Sequence, residues 1–164
     1  MKRLHLVGGS GHGKTTLIEA LLRHWVAQGL RVGTIKHTGH THELDTPGKD
    51  SWQHRQSGAV PAAIIAGNRL ALHCALVARD DPYAMLAPHY AACDLILVEG
   101  HLDTDAPKVE VWRSALGTLP VATERSGILA VISEDRPAVT VPVLSPLDLP
   151  RLADELLRIA RAAS

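Results

Sequence analysis

The 164-residue sequence contains no phenylalanine, and its aromatic residues amount to 3% of the chain. So few aromatic rings leave little with which to stack unpaired bases, and 17 basic residues are balanced by 17 acidic ones, so no nucleic-acid partner is expected. The two cysteines, Cys74 and Cys93, suit small buried side chains in a reducing compartment, which predicts a cytoplasmic protein. No apolar run is long enough to span a bilayer, so no membrane interaction is expected.

A glycine-rich segment, GGSGHGKTT, begins at Gly8 and directly follows the apolar run RLHLV. It matches the phosphate-loop pattern of Gly8, four residues, Gly13, Lys14 and Thr15. Small residues let successive backbone N–H groups approach phosphate oxygens, while Lys14 would reach the β- and γ-phosphates and the Thr15 hydroxyl would ligate Mg²⁺. The alternative is a ligand-free connection between a strand and a helix. We predict a nucleoside triphosphate site formed by Gly9, Ser10, Gly11, His12, Gly13, Lys14, Thr15 and Thr16.

Strand-like and helix-like patterns alternate along the chain. RLHLV, RVGTIKH, CDLILVEG, KVEVWR, GILAVIS and VPVLS are predicted strands, and helices are predicted over residues 14–28, 50–59, 81–92 and 148–163. The runs VPAAIIA and RLALHCALVA are predicted to form a hairpin. This alternation favours one α/β domain over residues 1–164, with three layers and a mostly parallel central sheet covered by helices on both faces, as in phosphate-loop NTPases.

Carboxylates for the metal side of the site occur in two segments. The strand CDLILVEGH offers Glu99 at its carboxyl end, where ligands gather in parallel sheets, whereas Asp94 at its start suits a structural role. The long loop that follows RVGTIKH begins at such an end and could reach the γ-phosphate, with Asp45 or Asp50 as a water-mediated magnesium ligand. We therefore predict a catalytic and metal side formed by Lys14, Thr15, Asp45, Asp50 and Glu99.

The same long loop carries Lys36 and His37, which are further candidates for contact with the nucleotide. His37, together with His40 and His42, could alternatively bind a transition metal such as zinc or nickel, because imidazole is a suitable ligand for both. Each of these histidines could equally be a solvated loop residue.

Recognition of the base has a weaker signal. The guanine signature Asn-Lys-x-Asp does not occur, and Asp135, after a late strand, is the nearest candidate acceptor for a guanine N1–H and amino group. A turn or helix-cap role suits Asp135 equally well. In KVEVWR, the charged side chains of Lys108 and Glu110 are expected in water, with a second anion site near Lys108 or Arg113 as the alternative.

Three segments resemble the molybdopterin-guanine dinucleotide biosynthesis adapter family, MobB, and they occur in the family's order. They are GGSGHGKTTL, VGTIKHTGHTHELDTPGKDSWQHRQSGA, and CDLILVEGH followed by PKVEVWR. The resemblance implies a GTP-binding adapter with Mg²⁺, weak GTP hydrolysis and a homodimeric state. It implies that the GTP phosphates and the metal are bound by Gly11, Gly13, Lys14, Thr15 and Thr16. It also implies that Asp45, Asp50 and Glu99 shape the metal and γ-phosphate side. His101 departs from the family, which often has Phe or Tyr there.

The resemblance also implies a partner, the MobA-type guanylyltransferase that attaches GMP to molybdopterin, and molybdopterin itself is a further candidate. Three other functions remain open. A nickel-delivery GTPase shares the fold, but its usual paired cysteine motif is missing from this sequence. A small-molecule kinase would need a lid, and no Arg-rich lid segment occurs. A binding module that never hydrolyses its nucleotide is the third alternative.

Overall fold

The computed structural model describes residues 2–162, which form eight strands and four α-helices. The strands are β1 (Arg3–Val7), β2 (Val32–Lys36), β3 (Ala62–Ala66), β4 (Arg69–His73), β5 (Leu95–Glu99), β6 (Lys108–Val111), β7 (Ile128–Ile132) and β8 (Val143–Leu144). The α-helices are α1 (Lys14–Ala27), α2 (Asp50–Gln56), α3 (Pro82–Leu86) and α4 (Leu149–Ala162). Short 3₁₀ helices cover Ala87–Tyr90, Ser114–Leu116 and Val121–Thr123.

The described chain divides into two compact units, one of which is Gly39–Leu86. The larger unit contains a six-stranded sheet with the order β2-β5-β1-β6-β7-β8, in which every neighbouring pair is parallel. The predicted fold class, a parallel α/β sheet with helices, is thereby confirmed. The prediction that residues 1–164 form a single domain stays a prediction.

The core of the larger unit follows from the period of each element. Alternate residues of the strands, among them Leu4 and Leu6, are fully buried with Leu21 and Trp25 of α1 in one apolar cluster. Helix α4 completes this cluster through Leu152, Ala153, Leu156 and Ala160. Burial of such side chains is the dominant favourable contribution to folding, at about 25 cal/mol per Å² of apolar surface.

The opposite face of the sheet is covered by short connections rather than by a long helix. Tyr90 lies against Gly33 of β2, where an added Cβ would come within 2.5 Å of the tyrosine ring, and its hydroxyl donates to the Thr34 carbonyl at 2.7 Å. On the same face, His5, Lys108 and Glu110 are buried. The expectation that Lys108 and Glu110 lie in water was wrong, because connections that have no periodic sequence signal cover this face.

Element boundaries differ from the prediction at two places. Helix α2 begins at Asp50, with Lys49 as its N-cap and no side-chain cap, and it ends at Gln56, whereas the sequence predicts a helix as far as residue 59. The helix predicted over 81–92 ends at Leu86 and continues as a 3₁₀ turn that contains Pro88, because proline cannot donate the helical hydrogen bond.

The smaller unit contains the predicted hairpin. Strands β3 and β4 pair in antiparallel register through a turn at Gly67 and Asn68, and α2 contacts β3. Few of its side chains are buried, and Ile65, Leu70 and Leu72 are 79%, 61% and 52% exposed. No helix within residues 2–162 has the length and apolar character needed to cross a membrane.

Candidate functional site

The glycine-rich loop joins β1 to α1 at the centre of the parallel sheet. Gly8 has φ 129°, and a Cβ there would come within 2.4 Å of the Val111 carbonyl oxygen, so the turn out of β1 accepts no larger residue. Gly13 has φ 93° and stands immediately before the first turn of α1. The unpaired N–H groups at the start of α1 therefore open directly onto the loop, which is the arrangement that binds anions.

Lys14 arches over this loop. Its ammonium group donates to the carbonyl oxygens of Gly8 at 2.9 Å and Gly9 at 2.7 Å. Burial lowers the pKa of Lys14 from its ordinary value, and Glu99 partly opposes that effect. The positive charge of Lys14 is thus held at the mouth of the predicted phosphate site.

Glu99 lies where the strand-end argument places it, beside the loop. Parallel pairing sets Leu6 of β1 level with Glu99 of β5, and the Thr15 hydroxyl donates to the two Glu99 carboxylate oxygens at 3.0 and 3.1 Å. Lys36 of β2 approaches the same carboxylate at 3.7 Å. By contrast, Asp94 accepts a hydrogen bond from the Arg31 backbone at the other end of β5, which agrees with the structural role expected for it.

The other side of the loop is fixed by His12, whose ring is buried. Its Nδ1 accepts a hydrogen bond from the Arg113 backbone N–H at 3.0 Å, so Nε2 carries the proton and donates to the Thr118 hydroxyl at 3.3 Å. Burial lowers the pKa of His12 and favours this neutral form. The His12 side chain therefore anchors the loop to the chain after β6, which leaves its backbone N–H as the group predicted to meet phosphate.

A cavity of about 380 Å³ opens beside the loop at the ends of β6 and β7. Gly13, Thr16 and Arg113 line it on the loop side, and Asp135 lines it on the β7 side. The Asp135 carboxylate accepts a hydrogen bond from the Ser114 backbone at 2.7 Å, and this bond holds the pKa of Asp135 below its ordinary value. The predicted base-reading residue is thus ionised at the rim of a cavity that reaches the phosphate loop.

Comparison with known proteins identifies the family. A sequence model described as molybdopterin guanine dinucleotide synthesis protein B, MobB, matches residues 3–134. The chain belongs to the MobB family. It is 35% identical over 150 residues to the molybdopterin-guanine dinucleotide biosynthesis adapter protein of Escherichia coli strain K12, an alignment that covers 88% of this chain and 85% of that protein.

Further relatives agree with this assignment. The molybdopterin-guanine dinucleotide biosynthesis adapter protein of Haemophilus influenzae is 31% identical over 155 residues, covering 92% of this chain and 85% of that protein. The crystal structure of a MobB protein homolog from Bacillus stearothermophilus superposes with a TM-score of 0.68 at 30% identity, covering 99% of both chains. The MobB match contains Lys14, Thr15 and Glu99, whereas Asp135 lies one residue beyond it.

Histidine rings stand where β2 and β5 of this MobB chain end. His37 and His101 stack with ring centroids 4.0 Å apart and planes inclined by 9°. His101 has φ 63°, an uncommon conformation for a residue with a side chain, and burial followed by the nearby His37 lowers its pKa. A planar ring is thus present at the position where the MobB resemblance implies Phe or Tyr.

The predicted acidic residues of the long loop belong to the smaller unit. Asp45 accepts hydrogen bonds from the Thr46 backbone at 2.8 Å and the Ser51 hydroxyl at 3.1 Å, and its other oxygen lies 3.7 Å from Arg55 and 3.8 Å from His73. Burial opposes ionisation of Asp45, but these hydrogen bonds and charges lower its pKa on balance.

Asp50 is the first residue of α2. Magnesium binding by Asp45 or Asp50 stays a prediction. His40 and His42 lie edge to face at 5.9 Å. Within residues 2–162, no three His, Cys, Asp or Glu side chains are grouped closely enough to hold a metal ion.

The sequence did not point to Glu110. Its side chain is buried, and its two carboxylate oxygens accept hydrogen bonds from the backbone N–H groups of Val121 at 2.7 Å and Ala122 at 2.8 Å. The Trp112 indole adds a hydrogen bond to the Thr118 carbonyl at 3.0 Å. These contacts hold the segment that follows Arg113 against the sheet. Its strand, KVEV, alternates charged and apolar residues as a half-exposed strand does, so the sequence carries no sign that this carboxylate is buried.

Proposed function

We propose that this MobB-family chain is a GTP-binding adapter that assists the attachment of GMP to molybdopterin in molybdenum cofactor biosynthesis. The observation that carries the proposal is the contact between the Thr15 hydroxyl and the Glu99 carboxylate, with Lys14 arched over the adjacent loop. Two of its relatives, at 35% and 31% identity, are named as adapter proteins of this biosynthesis.

The oxygen atoms at Thr15 and Glu99 fit a magnesium ion. Mg²⁺ prefers hydroxyl, carboxylate, water and phosphate oxygens, and it is commonly bound through one or two protein oxygens plus the phosphates of the substrate. In this proposal Thr15 holds the ion directly and Glu99 orients it. When bound, the ion neutralises the developing charge on the β- and γ-phosphates.

The base lies in the cavity beside Asp135 in this proposal. Oδ2 of Asp135 accepts a hydrogen bond from the Ser114 backbone, which fixes the carboxylate and leaves Oδ1 as the acceptor for the guanine N1–H and amino group.

Hydrolysis of GTP should be slow, because the motifs contain no residue that is recognisably placed to orient the attacking water. We expect a rate far below the turnover of about 10 per second that is typical of enzymes.

The proposed partners are the MobA-type guanylyltransferase and its substrate molybdopterin, together with a second copy of this chain. Three exposed apolar side chains on the hairpin of the smaller unit, Ile65, Leu70 and Leu72, support self-association, because monomers rarely expose large contiguous apolar patches. The proposed homodimer would present two nucleotide sites, one in each copy of the chain, to the guanylyltransferase.

Melting curves with separate ligands test this proposal. A ligand that binds the folded state stabilises it by about 2.7 kcal/mol at 100 times its Kd. We therefore expect GTP with Mg²⁺ to raise the melting temperature by about 5–10 °C. A shift with ATP and none with GTP would favour a kinase of the same fold. A shift with Ni²⁺ in place of either nucleotide would favour the nickel-delivery function.

A further inference from the structure

The guanidinium group of Arg113 lies directly on the phosphate loop. A Cβ built on Gly13 would stand 2.7 Å from Nη2, 3.0 Å from Cζ and 3.4 Å from Nε of Arg113. Such contacts mean that the guanidinium occupies the space beside Gly13 that a side chain would otherwise take. Arg113 also lines the cavity that extends from Gly13 and Thr16 to Asp135.

The backbone around Arg113 is held on both sides, while its side chain remains exposed. Its own N–H donates to His12 of the loop at 3.0 Å, and the N–H of Ser114 donates to Asp135 at 2.7 Å. The ion pairs found among residues 2–162 do not include Arg113. Its position is therefore fixed by backbone contacts, and its charge is not neutralised by a carboxylate.

The order of the strands decides which part of a bound nucleotide would meet Arg113. Strand β1, which leads into the loop, lies between β5 and β6. Glu99 and its partner Thr15 stand on the β5 side, and a phosphate-loop lysine such as Lys14 reaches the β- and γ-phosphates. A phosphate chain whose γ end points to β5 has its α end on the β6 side, where Arg113 and the cavity lie.

We propose that Arg113 binds the α-phosphate end of the nucleotide and positions it between the phosphate loop and the base cavity. This inference rests on the proposed function. A guanidinium presents several N–H donors in one plane and suits a phosphate with two free oxygens, which a neutral side chain cannot replace. Because GTP and GDP share the α-phosphate, Arg113 contributes equally to the binding of both.

Calorimetric titrations of GTP and GDP, with Mg²⁺ present, test the assignment. We expect Arg113→Ala to weaken both nucleotides by the same factor, about 10- to 100-fold, because charge-assisted hydrogen bonds are lost. Arg113→Lys keeps the charge without the planar fork and should recover part of the loss. Arg158→Ala, which removes an arginine paired with Glu155 on α4, is the matched control and should leave both affinities unchanged.

The possible results separate the inference from the function on which it rests. If the unaltered protein binds neither nucleotide, the proposed function fails and the inference fails with it. If the unaltered protein binds both and Arg113→Ala binds them equally well, the inference alone is wrong. A loss confined to GTP would place Arg113 at the γ-phosphate and would also overturn it. Melting curves without nucleotide show whether each variant is folded. If Arg113→Ala does not fold, the titrations of Arg113→Lys test the assignment in its place.

Discussion

Glu99 and Glu110 stand on the two strands that flank β1, yet they differ in every contact. Glu99 is 17% exposed in its side chain and accepts hydrogen bonds from the Thr15 hydroxyl. Glu110 is 1% exposed and is held by the backbone N–H groups of Val121 and Ala122. A hydroxyl partner can rotate towards a ligand, whereas backbone donors cannot leave. The donors around each of these carboxylates, rather than its position on a strand, therefore decide its role.

The same contrast extends to the regions around the two residues. On the β5 side, the ammonium groups of Lys14 and Lys36 lie near a carboxylate that is partly exposed. On the β6 side, the buried ring of His12 accepts a hydrogen bond from the Arg113 backbone, and Asp135 accepts one from the Ser114 backbone, so this segment is held in place. In the proposed function, the β5 side meets the metal and the γ-phosphate, and the β6 side positions the α-phosphate end of the nucleotide.

The largest expected effect is on stability, at Glu110. Glu110→Ala leaves two partly buried backbone N–H groups without an acceptor, and each such loss costs about 1–3 kcal/mol, so we expect the free energy of unfolding in urea to fall by about 3 kcal/mol. Glu99→Ala is the matched control and should change it by less than about 1 kcal/mol, because Glu99 is partly solvated. Equal losses in the two variants would contradict the different roles assigned to Glu99 and Glu110.

Glu99 should instead affect how much Mg²⁺ strengthens the binding of GTP. Residues that orient a metal ligand typically contribute 10- to 100-fold to metal affinity. We expect Glu99→Gln to reduce, by about 10-fold, the gain in GTP affinity that Mg²⁺ provides, while GTP binding in EDTA stays the same. Titrations at several Mg²⁺ concentrations measure this gain. An unchanged Mg²⁺ dependence would remove Glu99 from the metal side.

Hydrogen exchange can compare the two sides with and without a γ-phosphate. Residues 37–50 follow β2, and Asp45 or Asp50 is predicted to meet the metal, so a non-hydrolysable GTP analogue should protect this segment more than GDP does. Residues 113–123 follow β6 and should be protected equally by the two nucleotides. Equal protection of residues 37–50 would mean that the long loop does not respond to the γ-phosphate.

The smallest expected effect is a pH dependence on the β6 side. The pKa of His12 lies below its ordinary value of 6.5, so between these two values the unfolded chain binds more protons than the folded one. The contribution of neutral His12 to the free energy of unfolding is therefore fully present above pH 6.5, and it is lost as the pH falls towards the pKa of the folded state. His12→Asn keeps an acceptor for the Arg113 N–H without titrating, so its stability should fall less between pH 7 and pH 5. Parallel urea curves that show the same fall in both proteins would contradict this role.

Local patterns explain which parts of the molecule the sequence predicts. The segment from β1 to α1 is specified by residues adjacent in the chain, and Glu99 follows from the rule that ligands gather at the ends of parallel strands. The burial of Glu110 could not be predicted, because its donors are backbone groups about ten residues later that carry no sequence signature. Likewise, the fold of the smaller unit brings Arg55 and His73 close to the Asp45 carboxylate.

The central claim, that the phosphate loop binds GTP through Lys14, is tested most directly by calorimetric titration of GTP with Mg²⁺ into the unaltered protein and into Lys14→Ala. The Lys14 ammonium supplies charge-assisted hydrogen bonds at the mouth of the loop, so its removal should weaken GTP by about 100-fold or more. Melting curves without nucleotide serve as the folding control. Equal GTP affinity in the two folded proteins would contradict the assignment of the loop as a nucleotide site.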